Sequence, residues 1–342
     1  MKDWIITGSI TVLFLLSLIT LRSIASFLFP VYFLYIFIGI ISFFVFSKVD
    51  FDIWPYFYKI FYIVSIVFLL VTLLIGQVTR GTIRWLQIGP LSLQSGEFVR
   101  PFLLVFFARF LTQKQINLKR LGTFFLLVIF PVFLIVIQPS LGVSLMLTSG
   151  LFGVLLASGI NKKVLFYFLI TIFILMPLAW NILATYQKSR VISFLFPLSD
   201  PSGVGYQSIQ STIAVGSGKL TGRGLGEGVQ TQLAFLPERH TDFIFASIAE
   251  ELGLVGAMLV ISIWFLILYR IVIFMENSKD TLTRAFLTGV FMMFLAQIFV
   301  HIGMNMGMLP ITGIPLPLVS AGGSSLVATM ITLGLVVAAK RQ

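Results

Sequence analysis

Hydrophobic positions in this chain come in long unbroken runs, not in narrow stripes. A run of about 20 apolar residues is the length of helix that crosses ~30 Å of hydrocarbon. Such runs fall near 4–21, 25–46, 57–76, 97–112, 121–138, 141–159, 163–183, 253–274, 284–306 and 320–339. A membrane barrel of strands would alternate apolar and polar positions, and these runs do not. The expected architecture is an all-α polytopic membrane protein with about ten transmembrane helices.

Polar positions gather in one sizeable segment, residues 184–240. It carries Gly203, Gly205, Gly216, Gly218, Gly222, Gly224, Gly226 and Gly228, which permit tight backbone turns. Apolar residues such as Ile209, Ile213, Leu225 and Phe235 are spread through it, so a folded lid or re-entrant segment is expected rather than a disordered linker. No soluble domain, domain boundary or internal repeat is visible. Residues 1–342 read as a single transmembrane domain with one large extracytoplasmic loop.

Composition agrees with this pattern. The chain is 58% hydrophobic and 10% charged, with mean hydropathy +1.06. Cysteine is absent, which excludes disulfides and thiolate chemistry. The first apolar run is too long for a signal peptide, lacks a convincing cleavage site, and is read as a retained span. The net charge of +11 would suggest nucleic acid in a soluble domain; in a membrane protein it reads as basic cytoplasmic loops. Fourteen of the 23 Lys and Arg fall on the side of the two termini, and five of the nine opposite lie in the 184–240 loop. Long segments translocate largely regardless of charge, so both termini are expected in the cytoplasm and the loop outside.

Candidate chemistry concentrates where the loop meets an apolar run. Residues 235–253 read FLPERHTDFIFASIAEELG, and six of the twelve acids lie between Asp200 and Glu251. Thr241 can cap a helix whose first turn holds Asp242. There Asp242 would either complement the helix dipole or serve as a general base beside a cavity. Glu250 and Glu251 stand at the bilayer boundary, where an unpaired charge is costly, and need partners or water. Glu97 and Arg100 share a helical face at i, i+3, either as a self-neutralising pair or as the lining of a polar cavity. Arg84 and Trp85, in GTIRWLQIGP, read as an interfacial anchor. In LPITGIPLPLVSAGGSSL, residues 309–326, three prolines forbid a regular helix. The small residues that follow suit close helix packing or phosphate binding at a helix start. Lys188, Arg190, Lys219, Arg223 and Arg239 could hold membrane-lipid headgroups or a pyrophosphate. His240 and His301 are isolated, and no metal-binding spacing is present.

The strings FLPERHTDFIFASIAEELGLVG, GYQSIQSTIAVGSGKLTGRGLGEG, RWLQIGP and LPITGIPLPLVSAGGSSL together resemble the SEDS family of shape, elongation, division and sporulation proteins. The resemblance runs in order from about residue 80 to the C-terminus. It is greater to the elongation branch, because the division branch usually has Ala where this chain has Arg239. It implies a ten-span peptidoglycan glycosyltransferase of the bacterial cytoplasmic membrane. Such an enzyme polymerises lipid II on the outer face, with a class B penicillin-binding protein as transpeptidase partner. The family's essential aspartate falls on Asp242, and its acid and base in a QPSExxK string fall on Glu97 and Arg100. The departures are specific: that string reads QSGEFVR here, QPDLG reads QPSLG at Ser140, GSGG reads GSGK at Lys219, Ala321 replaces a Tyr, and His301 replaces a common Asn.

The resemblance further implies an inverting transfer with Asp242 as base. Arg190, Lys188, Arg223, Arg239 and Arg100 are candidate cations for the leaving pyrophosphate, and Glu97, Gln207, Ser320 and Ser324 are further substrate-contact candidates. No cofactor is required by the sequence, although a divalent Mg or Mn ion could share the leaving-group task. A flippase for the lipid-linked precursor and a scaffold for a partner synthase stay open as alternatives.

Overall fold

The computed structural model describes residues 3–79, 82–160, 184–197 and 203–340, together with 166, 170, 180 and 181. The span expected at 163–183 lies largely outside the described residues.

Six apolar helices are long enough to cross a membrane among the described residues: α1 (Trp4–Ile24), α2 (Phe29–Lys48), α3 (Tyr58–Ile75), α5 (Leu118–Ile137), α10 (Ile244–Asn277) and α11 (Thr281–Asn305). Between these stand α4 (Ser95–Thr112), which carries charges, and the shorter apolar helices α6 (Leu141–Ala157) and α12 (Gly323–Ala339). Local chemistry sets their starts. The side chains of Asp3, Asn117 and Asp280 accept the amides of Ile6, Arg120 and Thr283, capping α1, α5 and α11. Outward-facing Phe37, Ile63 and Leu74 are exposed, as a lipid-facing surface requires. This is an integral membrane protein.

Helix α12 is buried along its whole length and forms the axis of the bundle, packed on α2 and α4. Small residues bring α6 and α11 together. A Cβ at Gly153 would stand 2.6 Å from the Thr288 carbonyl oxygen, so only glycine allows this approach.

The expectation of an all-α chain needs correction. Residues 77–94 form a three-stranded antiparallel sheet, β1 (Gln77–Thr79), β2 (Thr82–Ile88) and β3 (Leu91–Gln94), in the order β1-β2-β3. Strands β2 and β3 pair from Trp85 with Gln94 to Ile88 with Leu91, across a turn at Gly89 and Pro90. Gly89 takes φ +58, which a tight hairpin turn demands. The sheet is tied to the bundle. Tyr35 of α2 donates to the Ser92 carbonyl at 2.9 Å and accepts its amide at 2.7 Å.

The segment 184–240 is folded, with helices α7 (Thr185–Leu195), α8 (Val204–Ser217) and α9 (Val229–Gln232) among its described residues. Its attachment to α10 is unusual. Gly253 takes φ +67 and ψ −161, so α10 is two helical segments joined at a break. The backbone groups freed there are met by the loop. Arg223 and Gly224 donate their amides to the carbonyls of Glu250 and Glu251, and Leu254 and Val255 donate theirs to the carbonyls of Lys219 and Leu220. Irregular backbone at such a position requires this kind of internal pairing. A side chain on Gly222 would collide with the Glu251 carbonyl, which explains a glycine there.

Candidate active site

A cavity of about 340 Å³ opens where the sheet, α7, the turn before α10 and the loop before α12 meet. Its lining includes Arg84 and Trp85 from β2, Arg190 from α7, Glu238 and Asp242 from the turn, and Ser325 from α12.

Asp242 does not lie in the first turn of a helix. Helix α10 starts at Ile244, with no acid in its first turn and no side-chain cap. The Thr241 hydroxyl turns back instead, towards the Glu238 carboxylate at 3.1 Å. The expected helix-dipole role for Asp242 therefore fails on geometry. Residues 238–243 form a separate turn, closed by the amides of Thr241 and Phe243 donating to the Glu238 carbonyl. Glu238 pays for this turn with φ +51. Leu318, in the facing loop, has φ +62, and such strained backbone collects at functional sites.

The turn is clamped through its main chain, and Asp242 lines the cavity. Ala321 donates its amide to the His240 carbonyl at 2.9 Å, Ser320 Oγ donates to the Thr241 carbonyl at 2.7 Å, and Asn305 Nδ2 donates to the Asp242 carbonyl at 3.0 Å. Ser247 Oγ donates to the Arg239 carbonyl at 3.0 Å. Opposite stands Gly313, with φ +70. A Cβ there would lie 3.5 Å from Asp242 Oδ2 and 3.6 Å from Arg190 Nη1. Carboxylate and guanidinium thus converge on one point beside Gly313, whose positive φ calls for glycine.

The other residues singled out by sequence fall in different places. Glu97 and Arg100 form an ion pair inside α4, each 1% exposed and neither lining the cavity. Arg100 Nη1 donates to Gln297 Oε1 at 3.1 Å. Ser325, which does line the cavity, stands beside the Glu97 carboxylate. Arg239 turns away and donates from Nε and Nη2 to the Ile24 carbonyl, at the C-terminal end of α1. Arg223 is exposed, with Nε donating to Ser217 Oγ at 3.1 Å. Lys188 and Gln207 are half-buried on α7 and α8 and do not line the cavity. Ser320 acts as the clamp on Thr241. Ser324 Oγ accepts the Gln94 amide at 2.9 Å and donates to the Ser92 carbonyl at 2.8 Å, fixing the sheet. Ser140 accepts from Gln94 Nε2 at 3.1 Å, so the serine found in place of the family's acid holds a cavity-lining side chain.

Glu250 and Glu251 do find partners, and these are structural. Glu250 accepts the amides of Gln230 and Thr231, at 2.8 and 3.0 Å, at the start of α9. Glu251 Oε1 accepts from Ser23 Oγ, Gln232 Nε2 and the Gly226 amide.

Sequence reasoning missed the contribution of the sheet. Arg84, Trp85 and Gln87 enter the cavity from a strand that was read as a membrane anchor. The β-branched and aromatic residues of TIRWLQI, ahead of a Gly89-Pro90 turn and the alternating LSLQ, are the signal that points to a hairpin. Among the described residues no group of three or more His, Asp or Glu is placed to hold a metal. A divalent ion in the cavity would meet Asp242 and Glu238 as its acidic ligands.

The family model for the FtsW, RodA and SpoVE cell cycle proteins matches residues 3–342. The chain belongs to this family. It is 40% identical over 279 residues to the peptidoglycan glycosyltransferase MrdB of Escherichia coli K12, covering 80% of this chain and 75% of that relative. It is 34% identical over 311 residues to the stage V sporulation protein E of Bacillus subtilis, covering 89% and 84%. Two solved structures share the fold across 99% of the chain. One is a chain from work on the coordination of polymerisation and crosslinking by a peptidoglycan synthase complex, with TM-score 0.85, 31% identity and 97% of that chain covered. The other is the rod shape determining protein RodA of Thermus thermophilus, with TM-score 0.75, 26% identity and 96% covered.

Proposed function

We propose that this protein is a peptidoglycan glycosyltransferase that polymerises lipid II for cell-wall elongation. The observation that carries the reading is the convergence of Asp242 and Arg190 beside Gly313, in a cavity at the polar end of an apolar bundle. Chain growth joins an acceptor sugar hydroxyl to the anomeric carbon of a donor whose lipid pyrophosphate departs. The hydroxyl oxygen forms the new bond as the bond to the pyrophosphate oxygen breaks. Asp242 takes the hydroxyl proton, a role worth ~10²–10⁴ in rate. Arg190 and Arg84 are the arginines of the cavity lining and stabilise the charge that develops on the pyrophosphate. Arg84 takes the place in this scheme expected for Arg239 and Arg223, neither of which lines the cavity. The elongation role is supported by Arg239 and by the higher identity to MrdB than to the FtsW relatives, at 40% against 33–34%. The synthase-complex likeness supports a class B penicillin-binding protein as partner.

The ten-span topology belongs to the same proposal. Six long helices with α4, α6 and α12 account for nine spans among the described residues, and the tenth rests on the apolar run at 163–183 in the sequence. Both termini then face the cytoplasm and residues 184–240 the outside. In this cysteine-free chain, a cysteine at Glu227 should react with an impermeant maleimide in intact cells while one at Gln115 is protected. The reverse pattern inverts the topology.

The deciding experiment is polymerisation of purified lipid II by the purified protein, with and without the partner. Glycan strands are expected. Transport of lipid II across vesicles without polymerisation would establish the flippase reading instead, and polymerisation that requires only the partner would leave the chain a scaffold.

A further inference from the structure

The loop before α12 poses a problem of backbone chemistry. Residues 310–316 have no regular structure, and Pro310, Pro315 and Pro317 supply no amide protons. Its buried carbonyls need donors from elsewhere. They come from one face of α11.

Gln297, His301 and Asn305 are spaced four apart on α11, so they stack on a single stripe, and all three are fully buried. Gln297 Nε2 donates to the Pro315 carbonyl at 2.9 Å. His301 Nδ1 lies 2.7 Å from the Ile314 carbonyl. A carbonyl only accepts, so Nδ1 carries the proton. Asn305 completes the stripe on the other half of the site. Its Nδ2 donates to the carbonyls of Asp242 and His301, and its Oδ1 accepts the Ala246 amide at 3.0 Å. These three bonds also fix which end of the Asn305 amide is oxygen. The lower end of the stripe is held in turn, because Gln297 Oε1 accepts from Arg100, whose partner is Glu97.

We propose that Gln297, His301 and Asn305 are positioning residues that set the Asp242 turn against the Gly313 loop, and that Glu97 and Arg100 act on the site through this stripe without touching substrate. The inference rests on the glycosyltransferase reading for its kinetic consequence but not for its structural content. The device works because helix α11 is rigid: one element grips Asp242 by its own carbonyl and grips the two carbonyls that follow Gly313. The separation of the Asp242 turn from the Gly313 loop is then fixed by helix geometry and does not depend on loop stiffness.

The test uses the full-length protein with lipid II as substrate, reading kcat, KM, the thermal midpoint and amide hydrogen exchange. Asn305→Ala and His301→Phe should each lower kcat about ten- to a hundredfold while KM stays within about twofold, as displacement of a reacting group implies. His301→Asn should restore most of the rate, because its amide nitrogen takes the place of Nδ1 and still donates to the Ile314 carbonyl. Exchange should rise at the Ala246 amide in Asn305→Ala and across 311–316 in His301→Phe. In an Asp242→Asn background, Asn305→Ala should cost nothing further. Wild-type kcat in both variants, a change confined to KM, or His301→Asn no better than His301→Phe would overturn the proposal. Should Asp242→Asn itself polymerise at the normal rate, the general-base reading falls, and the exchange measurement alone judges the stripe: unchanged exchange in both variants rejects it. If Asn305→Ala does not accumulate, the His301 pair carries the decision.

Discussion

Asp242 and Glu250 lie eight residues apart on one stretch of chain and occupy opposite environments. Glu250 is fully buried, and its two oxygens accept the amides of Gln230 and Thr231. Its charge is consumed by the protein's own backbone. Asp242 is half-buried and faces a cavity, and it is its main-chain carbonyl, not its carboxylate, that Asn305 holds. A carboxylate saturated by backbone donors organises the fold. A carboxylate on a residue gripped through its main chain lines the cavity instead.

The sharpest way to break this contrast is to remove each charge without changing shape. Asp242→Asn should lower lipid II polymerisation by ~10²-fold or more, as loss of a general base implies, with the thermal midpoint preserved. Normal polymerisation by the purified variant would end the distinction. Glu250→Gln should do the reverse. Its amide group cannot accept both loop amides, so one buried donor is orphaned at a cost of about 1–3 kcal/mol. The thermal midpoint should fall and residues 226–232 should become protease-sensitive, while activity per folded molecule stays nearer wild type. A stable but inactive Glu250→Gln protein would place Glu250 in the chemistry.

The smallest effect concerns a third carboxylate, Asp3, at the opposite end of the bundle. It accepts from Arg270 at 2.6 Å and Lys340 at 2.7 Å, tying the start of the chain to α10 and to the end of α12. Burial alone would raise this carboxyl. The hydrogen bonds from Arg270, Lys340 and the Ile6 amide outweigh burial and bring it from 3.8 to about 2. A group depressed in this way stabilises the fold above its unfolded value and loses that contribution as pH falls through the folded one. Detergent-solubilised protein should therefore lose stability between about pH 4 and pH 2, and Asp3→Asn should flatten that part of the curve. An identical acid profile in the variant would remove Asp3 from the account.

How much of this was written in the sequence depends on range. Helices α1, α2, α3 and α5 follow uniform apolar runs, because crossing hydrocarbon needs little besides length and composition. Asp242 was singled out through motif resemblance; its residue type alone left dipole partner and base undecided. The sheet was not seen, because two short stretches are a weak signal beside runs of 20 apolar residues. Partners of Glu250 and Glu251 could not be seen, since they come from residues 226–232 and from Ser23, and only tertiary folding joins them. The start of α10 was misplaced because Thr241 prefers Glu238 to capping. Gln297, His301 and Asn305 did leave a trace, as polar residues four apart in an apolar span. That spacing reads as a shared face, but nothing local says what the face holds.

The break at Gly253 changes what counts as part of a membrane helix. Residues 219–224 lie some thirty positions upstream of Leu254, yet their amides and carbonyls stand in for the missing hydrogen bonds of α10. The two stretches are spliced into one element, and the count of residues between Lys219 and Gly224 is set by it. Adding or deleting a residue there would shift every donor past its acceptor, so a change in an apparent loop would have the consequences of a frameshift inside a span. Length variation among relatives should accordingly avoid this segment and collect at the exposed stretch near Leu233 and Phe235.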